Sequence, residues 1–205
     1  MNENRQIIRQ KAGRAPQIPG LPLLGDLPAE KNMSELILLL DKDTIAQKVS
    51  TIAKRISRDY QDSNLVIVGV LNGAFIFMAD LVRQLSIETF IVDFIRLRSY
   101  GDRSESSGQV KLLLDFDSDI DDKDVLIVED ILDTGLTMTY LIEHIQSRRP
   151  RSIKTCVFID KLERRQASVR PDYVCHTVEQ GFLVGYGLDY SGIYRNLPEI
   201  YHLKL

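Results

Sequence analysis

The chain has 205 residues, 44% of them apolar, which is enough to bury one sizeable core without splitting into two domains. A formal charge of -3, the lack of any apolar run of membrane-spanning length and the lack of a signal-peptide core together predict a cytoplasmic protein with no call for membrane or nucleic acid. Two cysteines, Cys156 and Cys175, and three scattered histidines give neither a disulfide scaffold nor zinc-type spacing, so any metal is expected to be a hard cation on oxygen ligands.

Residues 1–32 hold Pro16, Pro19, Pro22 and Pro28, four of the seven prolines, with Gly13, Gly20 and Gly25. That composition sustains no regular element, so a flexible extension is expected ahead of a folded domain over 33–205. Met33, where the first apolar run begins, is a candidate alternative start, and residues 33–40 read as the first strand. Apolar residues at Ile45, Val49, Ile52, Ala53 and Ile56 then give a helical stripe starting from Asp43 or Thr44. Residues 65–70 are continuously apolar or glycine, as in a strand buried on both faces, and Leu71-Asn72-Gly73-Ala74 leads into an apolar helix over 75–85. A strand, a tight glycine loop and a helix present backbone amides to an anion, though many strand-to-helix turns contain glycine. Residues 89–97 and 110–114 read as strands, and the serine- and glycine-rich stretch 98–108 between them predicts a mobile excursion.

The next strand carries the chemistry. Val125-Leu126-Ile127-Val128 is followed by Glu129 and Asp130, and two adjacent carboxylates cannot both enter an apolar core without a large desolvation cost. At least one must meet solvent, a cation or ligand hydroxyls. Asp133-Thr134-Gly135-Leu136-Thr137 then supplies two hydroxyls and a glycine, and Met138, Leu141, Ile142 and Ile145 have helical spacing. That arrangement is an anion-binding nest at a helix N-terminus, within a turn of carboxylates suited to sugar hydroxyls. Residues 153–159 and 173–178 read as further strands, the first ending in the charged run Asp160-Lys161-Leu162-Glu163-Arg164-Arg165. A stretch rich in aromatics and glycine covers 181–190, and His202 falls in a terminal strand with no evident partner.

Residues 125–137 resemble the phosphoribosyl-pyrophosphate (PRPP) motif of the type I phosphoribosyltransferases: an apolar strand, an acidic pair, two aliphatic residues and an Asp-Thr-Gly-x-Thr loop. Matching motifs run from about Val70 to Arg195. The resemblance implies an α/β fold, a single domain with a mainly parallel twisted sheet flanked by helices, and a small hood formed by terminal segments. It assigns Glu129 and Asp130 to the ribose and metal, and Asp133, Thr134, Gly135, Leu136 and Thr137 to the 5-phosphate. Leu71, Asn72, Gly73 and Arg195 fall at the pyrophosphate positions; the family often has a basic residue where Asn72 stands, so backbone contacts are expected there. Ser99-Tyr100-Gly101 matches the flexible lid of the 6-oxopurine phosphoribosyltransferases. Lys161, Phe182, Leu183 and Asp189 match their purine site, with Phe182 stacking on the base and Asp189 also a candidate ligand for a second Mg2+.

The activity so implied is purine salvage, the transfer of 5-phosphoribosyl from PRPP to N9 of hypoxanthine or guanine, giving IMP or GMP and pyrophosphate. Asp133 is the expected acid/base residue, Mg2+ the expected cofactor, and a homodimer or homotetramer the expected assembly. The alternatives are a regulator that keeps the PRPP fold and binds nucleic acid, or an enzyme preferring xanthine. An acidic balance and the lack of an added helix-turn-helix segment count against the regulator.

Overall fold

The computed structural model describes residues 35–102 and 105–204. The expectations for residues 1–32 and for Met33 lie outside the described residues. In chain order the elements are β1 (Glu35–Leu40), α1 (Lys42–Asp59), β2 (Leu65–Leu71), α2 (Phe75–Val82), β3 (Phe90–Asp102) and β4 (Glu105–Leu114). There follow β5 (Asp124–Leu132), α3 (Leu136–Gln146), β6 (Ser152–Lys161), β7 (Tyr173–Val178), β8 (Leu183–Val184) and β9 (Ile200–Lys204).

Six strands form the central sheet in the order β4-β3-β2-β5-β6-β7. All neighbours are parallel except the β3–β4 hairpin at one edge. Continuous apolar runs are what such a sheet requires, because helices cover both of its faces. The alternation of side chains sorts each run into two cores. Ile67, Leu126, Val128, Cys156 and Phe158 face α1 and α2, whereas Val66, Val68, Val125, Ile127 and Val157 face α3. Right-handed crossovers explain the placement: β2 connects through α2 to β3 on one side, and β5 through α3 to β6 on the other, so the helices land on opposite faces. The strand order therefore reverses between β2 and β5, and the crevice beyond their carboxyl ends is where sheets of this kind bind ligands.

A second sheet, β1-β9-β8, is antiparallel and joins the two ends of the described chain. It is the expected hood. Leu40, Leu183 and Ile200 sink into the same core as Phe158 and Tyr186, so it is anchored by burial as well as by its ladders.

Several boundaries differ from the sequence reading. The cap of α1 is Asp41 rather than Asp43 or Thr44, because its Oδ1 accepts from the Thr44 amide at 2.7 Å. The α2 helix stops at Val82, short of 85, where the Gln84 amide turns to the Leu81 carbonyl. The polar stretch after Leu97 is not an irregular excursion along its whole length. Its flanks continue the hairpin, with Ser99 opposite Val110 and Tyr100 opposite Gln109, since backbone pairing continues where side-chain hydrophobicity has ended. His202 has backbone partners on both sides, Ile37 and Leu183. Both cysteines are free, Cys156 buried and Cys175 partly so.

Candidate active site

Three loops and one turn meet at the reversal of strand order. After β2, the Ala74 and Phe75 amides close the turn onto Val70 and Asn72, while among the described residues the amides of Asn72 and Gly73 have no partner. The Leu71–Asn72 peptide is cis. Gly73 is required by crowding: a Cβ there would fall 1.8 Å from Asp130 Oδ2, so only glycine lets the loop lie against that carboxylate. Gly187, in the turn after β8, packs in turn against the Gly73 carbonyl.

Glu129 and Asp130 stand at the end of β5. Glu129 is 8% exposed, and its Oε2 is buried with no hydrogen-bond partner. Burial, followed by the charge on Asp130, pushes its carboxyl up to about 8. Burial also raises Asp130, to about 6, against the opposing pull of its own amide, the Ile131 amide and the Arg195 guanidinium. An acidic pair this poorly solvated is poised to receive a cation or hydroxyl donors, as expected of groups whose charge the fold alone does not satisfy. Arg195 donates to the Gly187 carbonyl at 2.6 Å and pairs with Asp189 Oδ1. The other oxygen of Asp189 accepts from the Gly192 amide at 2.7 Å. Among the described residues no three acidic, histidine or cysteine side chains converge as a metal cage, so Glu129, Asp130 and Asp189 do not form one by themselves.

One turn further, Gly135 caps α3 with φ +84°, a conformation costly to any residue bearing a Cβ. Asp133 does not cap the helix. The Leu136 amide leans on Thr134 Oγ1 at 3.4 Å, and among the described residues the amides of Thr134, Gly135, Thr137 and Met138 are unpartnered. The carbonyls of this loop are held by the segment after β6. Arg165 donates to Leu132 O and Asp133 O, each at 3.0 Å, and the Gln166 and Ala167 amides donate to Thr134 O. With the carbonyls occupied, the loop's amides are left free, which is what an anion-binding nest requires.

Lys161, 7% exposed at the end of β6, lies 3.9 Å from Asp133 Oδ1 and 3.3 Å from Glu163 Oε2. Arg164 approaches the other Asp133 oxygen at 3.7 Å. Phe182 is exposed and meets Tyr190 edge to face, with centroids 5.5 Å apart, while Leu183 is buried in the hood sheet. The structure thus brings together Asn72, Gly73, Glu129, Asp130, Asp189 and Arg195 at one locality, and Asp133, the nest and Lys161 at its neighbour. Ser99, Tyr100 and Gly101 lie on β3 at the edge hairpin. Sequence reasoning missed Arg165 and Glu163. Their signal is the density of charge after Lys161.

Residues 38–191 match the family model described as the phosphoribosyl transferase domain. The hypoxanthine-guanine phosphoribosyltransferase of Aquifex aeolicus (strain VF5) is 47% identical over 171 residues, covering 83% of this chain and 96% of that protein. The Bacillus subtilis (strain 168) hypoxanthine-guanine phosphoribosyltransferase is 42% identical over 168 residues, 82% of this chain and 92% of its own. A crystal structure of a hypoxanthine phosphoribosyltransferase from Staphylococcus aureus superposes with a TM-score of 0.78 at 40% identity, covering 82% of this chain and 90% of that one.

Proposed function

The chain belongs to the phosphoribosyl transferase family, and from that premise we propose that the crevice between β2 and β5 carries out purine salvage with PRPP as donor. The base attacks the anomeric carbon through N9 as the bond to pyrophosphate breaks, and the departing oxygen keeps the electron pair. The products are IMP from hypoxanthine or GMP from guanine, and pyrophosphate. The observation that carries the reading is the order of groups along the crevice. Unpartnered amides after β2, a buried acidic pair with Glu129 Oε2 left without a partner, free amides at the start of α3 and a buried lysine follow one another as the parts of PRPP and a purine would.

Each residue has work suited to its surroundings. The amides of Asn72 and Gly73 and the guanidinium of Arg195 meet the negative charge that grows on pyrophosphate. Glu129 and Asp130 take the ribose hydroxyls, and the 134–138 amides with the Thr134 and Thr137 hydroxyls hold the 5-phosphate. Asp133, its Oδ1 buried without a hydrogen-bond partner, accepts the proton from N7 as N9 bonds to the sugar. Lys161 donates to O6, and Phe182 offers its exposed ring to the face of the base.

The hard oxygen donors and the orphaned Glu129 Oε2 fit a divalent cation, which we take to be Mg2+. Mg2+ characteristically uses one or two carboxylates together with substrate phosphates, which matches the lack of a complete protein cage among the described residues. When bound, it supplies positive charge against the pyrophosphate. Glu129 and Asp130 would hold it, and Asp189, held by Arg195 and Gly192, would serve a second such ion.

A homodimer or homotetramer and a cytoplasmic setting belong to the same reading, and no helix among the described residues is long and apolar enough to cross a membrane. Sedimentation of the purified chain checks the assembly. The deciding experiment is a steady-state assay with PRPP, Mg2+ and hypoxanthine, guanine, xanthine or adenine in turn. Nucleotide formation with hypoxanthine or guanine is the expected result; none with any base overturns the proposal, and turnover of xanthine alone reassigns the substrate.

A further inference from the structure

The carboxylate of Glu163 stands between the two halves of the base site. Its Oε2 lies 3.3 Å from Lys161 Nζ, and the same oxygen accepts from the Gly181 amide at 3.2 Å. Gly181 immediately precedes Phe182. One atom therefore links the cation at the end of β6 to the loop carrying the exposed ring. The backbone reinforces this link, because the Leu162 and Glu163 amides donate to Val178 and Glu179, continuing the β6–β7 pairing past both strand ends. The Gly181 amide first, and then Lys161, hold the Glu163 carboxyl below its usual range, so the ionised form is the one this site is built around.

Lys161 also faces Asp133, at 3.9 Å. An ammonium has three donors, and here it hangs between two carboxylates with Glu163 the nearer. Without Glu163 the attraction is one-sided. Lys161 would swing onto Asp133 Oδ1, which has no hydrogen-bond partner, and the donor for the base would pair with the acceptor of its proton. We propose that Glu163 is a positioning residue of the base site, holding Lys161 off Asp133 and in register with Phe182. This inference rests on the purine-transfer reading above.

The Glu163 side chain is half-exposed, so its replacement leaves the core untouched. In Glu163→Ala the KM for hypoxanthine and guanine should rise roughly ten- to a hundredfold, the range of a lost hydrogen bond to a charged group. The KM for PRPP and the Tm should stay as in wild type. Glu163→Gln, which keeps an acceptor oxygen for Gly181, should recover part of the loss. The double substitution with Lys161→Gln tests whether Glu163 acts through the lysine, because coupled residues are not additive. On the Lys161→Gln background, Glu163→Ala should cost less than about threefold. The inference is overturned by an unchanged base KM, by a base KM that moves only together with Tm and the PRPP KM, or by effects of the two substitutions that simply multiply. A wild-type chain that transfers to no purine is a different result: it removes the purine reading and this inference with it.

Discussion

Gly73 shows how closely single atoms set this site. Its missing side chain is what lets Asp130 reach the loop after β2, since a Cβ would lie 1.8 Å from Oδ2 and 2.3 Å from Cγ. Gly73→Ala is expected to push the carboxylate aside and lower kcat/KM for PRPP by roughly 10²-fold, the cost of misplacing a binding group by about an ångström. Isothermal titration with PRPP and Mg2+, alongside kinetics, checks this, and unaltered affinity would mean that the loop moves freely instead. Asp133→Asn asks a different question. The amide keeps the shape and loses the ability to accept a proton, so single-turnover rates should fall about 10²–10⁴-fold while PRPP binds nearly as before. Equal single-turnover rates in the two proteins would take Asp133 out of the mechanism.

Among the elements, α1 and the β3–β4 hairpin mark the limits of patterning. The stripe Ile45, Val49, Ile52, Ala53 and Ile56 is buried as its spacing demands, and only the capping residue differs from expectation. The hairpin is the harder case, because serine and glycine content predicts a loop while the backbone of 99–102 pairs with 110, 109, 106 and 105 across a register shift after Tyr100. A paired backbone and a lid are compatible if the pairing opens and re-forms. Closure over the site would exclude water from a reactive sugar cation. Amide exchange over 99–102 and 105–108 should therefore be fast in the free protein and slowed at least about tenfold when PRPP and an unreactive base analogue are both bound. Equally slow exchange in both states would leave the hairpin a fixed edge.

On the scale of the whole molecule, the buried acidic pair links folding to pH. Glu129 has an ordinary value near 4.5 and is raised to about 8 in the folded chain, so between those limits the folded state binds the proton that the unfolded state has released. Stability from this group is present at low pH and is lost as pH rises through the window. Asp130, raised to about 6, acts in the same sense. Without ligands, Tm should thus decline from pH 5 to pH 8 more steeply in wild type than in Glu129→Gln, and addition of PRPP with Mg2+ should offset the decline. Parallel Tm profiles for the two proteins would show that Glu129 does not carry this proton.

The sequence by itself determined most strands of the central sheet, the order of strand and helix, and the glycine turn into α3, because each rests on local chemistry: apolar runs, helical spacing, and Gly135 where positive φ is needed. The resemblance added expected roles for residues that locally look ordinary, such as Lys161 and Phe182. Only the tertiary structure decided that Glu129 is buried rather than solvated, that Asp189 is held by Arg195, and that Arg165 and the segment after it occupy the carbonyls of the loop before α3. It also decided that one oxygen of Glu163 joins Lys161 to Gly181. These are contacts between segments far apart in the chain, or between side chains whose surroundings are supplied by other strands. Their energies depend on desolvation and distance, which periodicity and composition do not encode.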